Sequence, residues 1–360
     1  MVIIYSYSTE CHKRLWHSCL PTILVDCVYY RSVTGFGSCA TEIHEPCQVG
    51  NEAALRGIFR VPQGCLGPAA FLRYMPQACI EGVFVQERVY MKENYNNEVM
   101  YYTFPDFEQF YFLVHAFSSR EGGVSEGYYS SMNLGIKTDD SKENIRKNYE
   151  LFTDAVGIKL EDVVIGNLNH GSNVRVATRN DAGCGILKPF NYVNVDALVT
   201  NEPNLAITVT CADCVPVFFV DPVKKAIGIA HSGWKGTAQE ISARVVEKMV
   251  EEYGCKPEDI YAGVGPCIGM CCYEVSRDVF EEFIEFDYLD DAWYFEKDDD
   301  KFDLDLSRII FGTLAYSGIL PEHISISGLC TCCNNDVLFS HRAQKGKRGT
   351  MAGMIMLKGE

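Results

Sequence analysis

Three short segments carry histidine and cysteine side chains of the kinds that bind metal ions. They read Asn169-His170-Gly171-Ser172, Cys211-Ala212-Asp213-Cys214 and His231-Ser232-Gly233-Trp234-Lys235-Gly236. Two histidines with one cysteine fill three corners of a zinc tetrahedron and leave the fourth open, which is typical of a catalytic site. Zinc in such a site lowers the pKa of a bound water to about 7. Each histidine taken alone is more typical of a core or surface residue than of a metal ligand, so the hypothesis depends on all three segments together.

The motif Cys211-x-x-Cys214 has a second interpretation as a redox pair. A thioredoxin-like pair normally opens a helix, whereas the next residues, Val215-Pro216-Val217-Phe218, predict a strand. Thiol–disulfide exchange is therefore disfavoured.

Two further groups of cysteines lie toward the end of the chain. Cys330, Cys332 and Cys333 could join Cys211 and Cys214 in a closed four-thiolate zinc site, but C-x-C-C is not the usual spacing of a second zinc knuckle. Another group, which consists of Cys267, Cys271 and Cys272, is predicted to contain small buried residues near a turn.

A glycine-rich segment offers a candidate anion site. Arg120 is followed by Gly122 and Gly123, and Asn133 by Gly135. Glycines let backbone amides approach an anion, and a planar guanidinium suits phosphate or carboxylate. As a bare pattern, this segment is also typical of a turn with a solvated charge.

The chain after residue 90 alternates strand-like and helix-like stretches, which predicts a single mixed α/β domain with mixed β-sheets flanked by helices. Apolar runs rich in β-branched and aromatic residues predict buried strands. These runs are 111–117, 163–165, 205–210, 215–220, 226–230 and 260–264. The three chemical segments lie at strand ends, where a rigid element can aim a side chain into a cleft.

Two amphipathic helices are predicted from the spacing of apolar residues. One covers 141–156 and is closed by Gly157; the other covers 237–253, with Thr237 as the N-cap and Gly254 at the end. The acidic run 287–305 predicts a solvated loop and a helix start, or a lid.

The composition limits the classes of partner. The 360 residues carry a net charge of -16, which opposes binding to nucleic acid or to anionic membranes. No apolar stretch is long enough for a transmembrane helix. Seventeen cysteines without a secretory signal indicate a reducing cytoplasm. The sequence leaves monomer and homodimer equally open.

Residues 1–90 differ from the rest of the chain. Their basic and acidic side chains balance, and they show no sustained periodicity, so the remaining 270 residues carry the whole net charge. One hypothesis is that translation begins at Met91 and that the preceding residues were included in error. The alternative is a small N-terminal extension without a catalytic role.

The motifs together resemble one family over residues 110–358. In order they read HAFSSREGGVSEGYYSSMNLG, NLNHGSNV, DALVTNEPNLAITVTCADCVPV, AIGIAHSGWKGT, GVGPCIGMCCYEV and CTCCNNDVLFSHR. This order is similar to that of the YfiH-type laccase-domain proteins, formerly labelled multicopper polyphenol oxidases and now understood as zinc-dependent purine nucleoside phosphorylases with adenosine deaminase activity. The resemblance implies a YfiH/cytotoxic necrotizing factor-like fold, a Zn²⁺ cofactor, and purine nucleosides and phosphate as small-molecule partners. Residues 1–90 have no counterpart in it.

The resemblance also implies roles for individual residues. The family's metal ligands fall on His170, Cys214 and His231, which are also the catalytic positions. Family positions that line the pocket, and contact phosphate or nucleoside, fall on Arg120 and Asn133. The last motif departs from the family, because residues 348–352 read Arg-Gly-Thr-Met-Ala where many members read Thr-Gly-Arg-Met-Ala.

Asp213 is the remaining catalytic candidate. Its carboxylate could carry a proton during adenosine deamination, or it could only fix the loop that holds Cys214.

Three alternative functions remain. A copper-binding polyphenol oxidoreductase is one, although a trinuclear multicopper site needs roughly ten imidazoles and residues 91–360 contain five. A single copper uses the same ligand set as the proposed zinc. A metal-free hydrolase would use Cys214 as nucleophile and His231 as base. A nucleoside sensor would bind ligand without releasing base.

Overall fold

A computed structural model of the chain describes residues 91–359, and within them it contains fifteen strands and five α-helices. The strands are β1 (Lys92–Asn96), β2 (Val99–Thr103), β3 (Leu113–Ser118), β4 (Val163–Ile165), β5 (Val174–Val176), β6 (Ala197–Thr200), β7 (Ala206–Cys211), β8 (Val215–Asp221), β9 (Ala226–Ser232), β10 (Tyr261–Val264), β11 (Glu274–Ser276), β12 (Tyr294–Glu296), β13 (Lys301–Leu304), β14 (Ile324–Ile326) and β15 (Met351–Leu357). The helices are α1 (Lys142–Val156), α2 (Trp234–Ala238), α3 (Ile241–Tyr253), α4 (Arg277–Glu281) and α5 (Leu306–Tyr316). None of these helices has the length and hydropathy needed to cross a lipid bilayer.

The strands form two large sheets and one small one. The first sheet has the order β1-β2-β3-β15-β7-β4 and the second the order β14-β10-β8-β9-β6-β5. Both are mixed, because β4 runs parallel to β7, β5 to β6, and β10 to β14, while the other neighbours are antiparallel. The small sheet has the order β11-β13-β12.

The two large sheets pack against each other through an apolar core. Ile207 of β7 and Ile355 of β15 come from the first sheet and meet Phe218 of β8 and Ile229 of β9 from the second. Strands β8 and β9 are buried along their whole length. A strand covered on both faces has no solvent-facing side, so its sequence shows a continuous apolar run without alternation.

Helices cover the outer faces of the large sheets. Helix α1 packs on the first sheet through Tyr149 and Phe152, and helices α3 and α5 pack on the second through Met249 and Ile309. Residues 91–359 are therefore layered as helix, sheet, sheet, helix, and this confirms the predicted mixed α/β class with mixed sheets flanked by helices.

The predicted boundaries of α1 are confirmed. The Ser141 side chain accepts hydrogen bonds from the backbone N–H groups of Glu143 and Asn144, and Gly157 closes the helix at φ 74°. An L-residue with a side chain is strained at that φ, whereas glycine adopts it freely.

Two other predictions are wrong in part, although Gly254 at the end of the second helix and a helix start within the acidic run are confirmed. The helix predicted over 237–253 is two helices, α2 and α3, separated at Glu240, which has φ 53°. The acidic run 287–305 contains β12 and β13 of the small sheet, followed by Asp305 as the N-cap of α5. Phe302 is buried there, because its ring stacks on Phe280 of α4 at a centroid distance of 4.1 Å. The predictions about residues 1–90 lie outside the described residues.

Candidate active site and metal centre

Two of the predicted metal ligands are brought together by the register of one strand pair. Cys214 directly precedes β8, and His231 is the penultimate residue of β9. The antiparallel register places Pro216 opposite His231 and Val215 opposite Ser232. Cys214 and His231 therefore meet at one end of the pair.

The third ligand, His170, comes from the loop after β4, and a buried carboxylate holds that loop. Asp196 accepts hydrogen bonds from the backbone N–H groups of Asn169, His170 and Gly171, at distances between 2.9 and 3.3 Å. His170 itself is exposed and has φ 61°. A non-glycine residue in this conformation needs support from its surroundings, and the three hydrogen bonds to Asp196 supply it.

Asp196 also orients His231. Its Oδ1 lies 3.0 Å from Nδ1 of His231, and both side chains are buried. An imidazole that donates its Nδ1 hydrogen to a carboxylate keeps Nε2 free as a metal ligand. Sequence reasoning gave no role to Asp196, although it is the first residue of the DALVT motif. The only sequence signal was its position as an acidic residue directly before a buried strand.

The three side chains converge on one point. One ligand atom of each of His170, Cys214 and His231 lies within 4.8 Å of the others. The two imidazole rings are 4.9 Å apart between centroids and meet edge to face at 79°. Two nitrogens and one sulfur at this separation fit a single tetrahedral ion with one open position, and both zinc and copper accept this donor set.

The charges of these groups favour a thiolate–imidazolium pair, and a metal ion that bound there would displace the proton of His231. Burial opposes ionisation of the Cys214 thiol, but His231 and His170 outweigh it and lower its pKa to about 6. Burial likewise opposes protonation of His231, while the Cys214 thiolate and the Asp196 carboxylate raise its pKa to about 9. The site therefore stabilises a thiolate at neutral pH, and the thiolate is the form of cysteine that binds metals.

Gly233 is required by close packing around the ligands. A Cβ atom at this position would lie 3.0 Å from the Cys214 sulfur and 3.2 Å from Cδ2 of His170. Any larger residue would push these two side chains away from their shared point. This explains the glycine in the His-Ser-Gly-Trp-Lys-Gly segment.

The three ligands open into a cavity of about 420 Å³. This volume lies within the usual range for small-molecule sites, roughly 300 to 1,000 Å³. Its polar wall includes Lys137, Asp213, Arg342 and Arg348. Its apolar and aromatic wall includes Ile136, Leu168, Ile268 and Tyr273. The cavity can therefore hold a ligand with both an anionic part and an aromatic part.

Arg348 is the cationic group best placed to receive an anion. Its Nε is buried and is without a hydrogen-bond partner among the described residues, while Nη1 donates to Thr350 Oγ1 at 2.6 Å. Burial lowers the pKa of Arg348, opposed by the nearby charges of Asp213 and Cys214. A buried N–H group without a partner carries a desolvation cost that a bound anion would remove. Although the arginine is displaced by two residues from its position in many family members, it still reaches the cavity.

The structure does not bring Arg120 and Asn133 to the cavity wall. The Arg120 guanidinium donates to the carbonyl oxygens of Ser130 and Asn335 and lies 4.6 Å from the centre of the Phe339 ring. The Asn133 side chain is buried, and its amide donates to Thr138 and Asp140.

The carbonyl oxygen of Asn133 is also fully used. It accepts hydrogen bonds from the backbone N–H groups of Gly135 and Thr350, two residues that line the cavity. A primary amide has two donor hydrogens and two acceptor lone pairs. Both hydrogens and both lone pairs of Asn133 are engaged within the protein, so direct contact of this side chain with a ligand does not fit the structure.

Asp213 lines the cavity directly beside Cys214, in a strained conformation. Its φ is 88°, and its two carboxylate oxygens accept hydrogen bonds from the Thr331 hydroxyl at 2.6 Å and from the Arg342 backbone at 2.7 Å. These bonds fasten the Cys214 loop to the segment between β14 and β15. Positioning of this loop is therefore one function that the Asp213 side chain performs.

A sequence model of the family described as "Multi-copper polyphenol oxidoreductase laccase" matches residues 114–358. This is well over half of the chain, and the chain belongs to that family. The resemblance inferred from the motifs is thereby confirmed.

Characterised relatives carry a different description from the family. The chain is 34% identical over 247 residues to "Purine nucleoside phosphorylase YlmD" of Bacillus subtilis, and this match covers 68% of this chain and 89% of the relative. It is 33% identical over 253 residues to "Purine nucleoside phosphorylase LACC1" of Homo sapiens, and this match covers 68% of this chain and 56% of LACC1.

Solved structures show the same fold. YlmD from Geobacillus stearothermophilus superposes with a TM-score of 0.69 at 29% identity, over 74% of this chain and 98% of that one. The Bacillus licheniformis hypothetical protein YfiH superposes with a TM-score of 0.68 at 32% identity, over 72% and 96% of the two chains.

Proposed function

We propose that the chain is a zinc-dependent purine nucleoside phosphorylase that converts adenosine or inosine and phosphate into free base and ribose 1-phosphate. The observation that carries the proposal is that the His170, Cys214 and His231 cluster shares one cavity with the buried Nε of Arg348, which has no hydrogen-bond partner within residues 91–359. The printed names of the relatives are consistent with this reaction. The proposed compartment is a reducing cytoplasm, because the ten cysteines among the described residues are all free thiols.

Arg348 is assigned to the phosphate. In phosphorolysis a phosphate oxygen forms a bond to ribose C1′ while the bond from C1′ to the purine nitrogen breaks, so cationic character develops on the sugar and negative charge on the base. A guanidinium that holds phosphate against C1′ supplies both position and charge. Arg348 has an open donor for this role, whereas the Arg342 guanidinium donates to the carbonyl oxygens of Cys272 and Glu274.

The purine is assigned to the apolar wall. Leu168, Ile268 and Tyr273 line the cavity together and offer a surface suited to a flat aromatic ring. The proposed metal ligands His170, Cys214 and His231 line the same cavity. When bound there, a zinc ion supplies Lewis-acid stabilisation of negative charge and lowers the pKa of water.

Arg120 and Asn133 are proposed to act at a distance from the ligand. Asn133 fixes the backbone of Gly135 and Thr350, and Thr350 in turn accepts a hydrogen bond from Arg348. Arg120 joins the backbone at Ser130 to that at Asn335. Both residues position loops that enclose the cavity.

Adenosine deamination is proposed as a second activity of the same site. The observation that favours it is that the Asp213 carboxylate lines the cavity next to Cys214. Zinc-dependent deaminases use a carboxylate that is not a metal ligand to carry protons. Asp213 matches that placement, in addition to its bonds with Thr331 and Arg342.

Zinc is favoured over copper by the shape of the site. Electron-transfer copper sites add a weak axial ligand and close around the ion, whereas here the His170, Cys214 and His231 cluster borders a cavity of about 420 Å³. An open cavity serves a reaction with a substrate. A metal-free hydrolase with Cys214 as nucleophile would differ from the proposed enzyme, because it would stay active after a chelator is added.

The purified full chain should be incubated with adenosine or inosine, with and without phosphate, and the products separated by chromatography. We expect phosphate-dependent release of free base and ribose 1-phosphate, and phosphate-independent formation of inosine from adenosine. A chelator should stop both reactions, and added zinc should restore them better than copper. Base release that ignores phosphate, or full activity after chelation, would rule out the proposed phosphorylase.

A further inference from the structure

A second group of sulfur atoms converges far from the predicted ligands in sequence. Cys271, Cys272, Cys330 and Cys333 each place a sulfur within 4.8 Å of the others. The prediction that Cys271 and Cys272 are small buried residues is wrong, because Cys271 is exposed and Cys272 is half-buried. Cys267, the third member of that predicted group, is buried as expected.

The topology explains why these cysteines meet. Strands β10 and β14 are adjacent and parallel, so the loops that follow them leave the same edge of the sheet. The two loops pair again at an isolated bridge between Cys267 and Cys330, where the Thr331 N–H donates to the Cys267 carbonyl at 2.9 Å. Backbone pairing therefore brings Cys330 and Cys333 against Cys271 and Cys272.

The spacing of the sulfurs is that of ligands around one ion. The Cys333 sulfur lies 3.5 Å from each of the sulfurs of Cys271 and Cys272. Four sulfurs at about 2.3 Å from a central zinc ion are about 3.8 Å apart from each other. A disulfide requires about 2.05 Å, and the four cysteines are free thiols.

The backbone around the group supports negative charge on sulfur. The Gly269 N–H donates to the Cys330 sulfur at 3.2 Å, and the backbone of Cys333 also hydrogen bonds to that sulfur. Hydrogen bonds of this kind orient and stabilise thiolate ligands. Cys330 and Cys333 moreover have the C-x-x-C spacing that is common in structural zinc sites.

We propose that Cys271, Cys272, Cys330 and Cys333 bind one structural zinc ion, separate from the ion at the candidate active site. Four thiolates fill the tetrahedron, so this second site has no open position and no catalytic role. An iron–sulfur cluster inserts its own iron and sulfide atoms between the cysteines. Sulfurs within 4.8 Å of one another leave room for a single ion only.

The zinc site would stabilise one wall of the cavity. Cys272 is followed by Tyr273, which lines the cavity, and the Cys272 carbonyl accepts a hydrogen bond from the Arg342 guanidinium. Thr331, between Cys330 and Cys333, holds the Asp213 carboxylate. A metal at this point would tie both loops together and fix these contacts, whatever reaction the cavity catalyses.

The first test counts metal ions in the full chain by mass spectrometry after expression with added zinc. The double variant Cys271→Ser/Cys333→Ser should hold one zinc ion fewer per chain than the unmodified protein, and Cys332→Ser should lose none. Cys332 is a matched control, because it lies in the same loop but outside the group. Counting by difference removes any contribution from the seven cysteines of residues 1–90. Equal zinc in the double variant and the parent would overturn the proposal.

A second test does not depend on the folding of a variant. The unmodified chain is alkylated with iodoacetamide before and after zinc removal by a chelator, and each cysteine is followed by peptide mass spectrometry. Cys271 and Cys333 are exposed, so iodoacetamide can reach them when no metal is bound. We expect all four cysteines of the group to be protected until the chelator is added. Equal rates with and without chelator, or peptides joined by a disulfide before chelation, would contradict the proposal.

Discussion

Cys214→Ala is expected to abolish both phosphorolysis and binding of the catalytic metal. Among the described residues, this side chain supplies the only sulfur at the point where His170 and His231 meet. Without the thiolate, two imidazoles remain, and the ion loses its one charged ligand. We expect product formation to fall by at least about 10³-fold, because metal sites contribute several kcal/mol to transition-state stabilisation and about 1.4 kcal/mol corresponds to a factor of ten.

Cys211→Ser is the matched control for this prediction. Cys211 belongs to the same C-x-x-C motif and lines the same cavity, but it is buried and outside the group of ligands. Burial raises the pKa of its thiol well above the ordinary value, which keeps it protonated. The Cys211→Ser protein should retain the metal that Cys214→Ala loses. Full turnover by Cys214→Ala, with the metal still bound, would remove Cys214 from the site.

Arg348→Gln should weaken the binding of phosphate more than the binding of nucleoside. The substitution keeps a polar side chain but removes the cation and the free Nε donor. Hydrogen bonds to charged groups contribute roughly 1.5 to 3 kcal/mol, so a loss of about 2 kcal/mol corresponds to a rise of roughly thirty-fold in KM for phosphate. Steady-state kinetics with phosphate and inosine varied in turn would measure the two effects separately.

Arg146→Gln is the control for the loss of an arginine. Arg146 lies on the surface of α1, where it pairs with Glu150, and its side chain is 60% exposed. We expect its kinetic constants to equal those of the parent. A phosphate KM that is unchanged in Arg348→Gln would show that another group, such as Lys137, holds the anion.

The central strands could be predicted because their burial is visible in the sequence. Strand β4 was predicted without error, and the predictions for β7, β8, β9 and β10 differ from the structure by at most two residues at either end. Both faces of β8 and β9 are covered, so their central positions are apolar or glycine, and the polar residues Asp221, His231 and Ser232 lie at the strand ends. The positions of the candidate metal-binding motifs at strand ends followed directly from these runs.

The elements that the sequence patterns did not predict are determined by tertiary contacts. The apolar spacing from 241 to 250 is helical, but it contains no information on Glu240, whose left-handed conformation separates α2 from α3. Tyr288 donates a hydrogen bond to the Glu240 side chain across 48 residues. The small sheet was hidden by the acidic residues around Phe302, because burial of a single aromatic side chain gives no periodic signal.

Residues that converge only in the fold were the least visible in sequence. Asp196 acts through backbone N–H groups of a loop 25 to 27 residues away, and such contacts leave no motif. Cys271 and Cys333 are separated by 62 residues, and they meet only because β10 and β14 are neighbours. Pairing of two strands from distant parts of the chain cannot be read from either strand alone.

Diffraction from crystals of the full chain at the zinc absorption edge tests the central claim most directly. We predict an anomalous peak about 2.3 Å from the Cys214 sulfur and about 2.0 to 2.1 Å from one nitrogen each of His170 and His231. That peak should border the cavity lined by Arg348. No peak between these three side chains in zinc-loaded crystals, or a peak that touches fewer than three of them, would contradict the account.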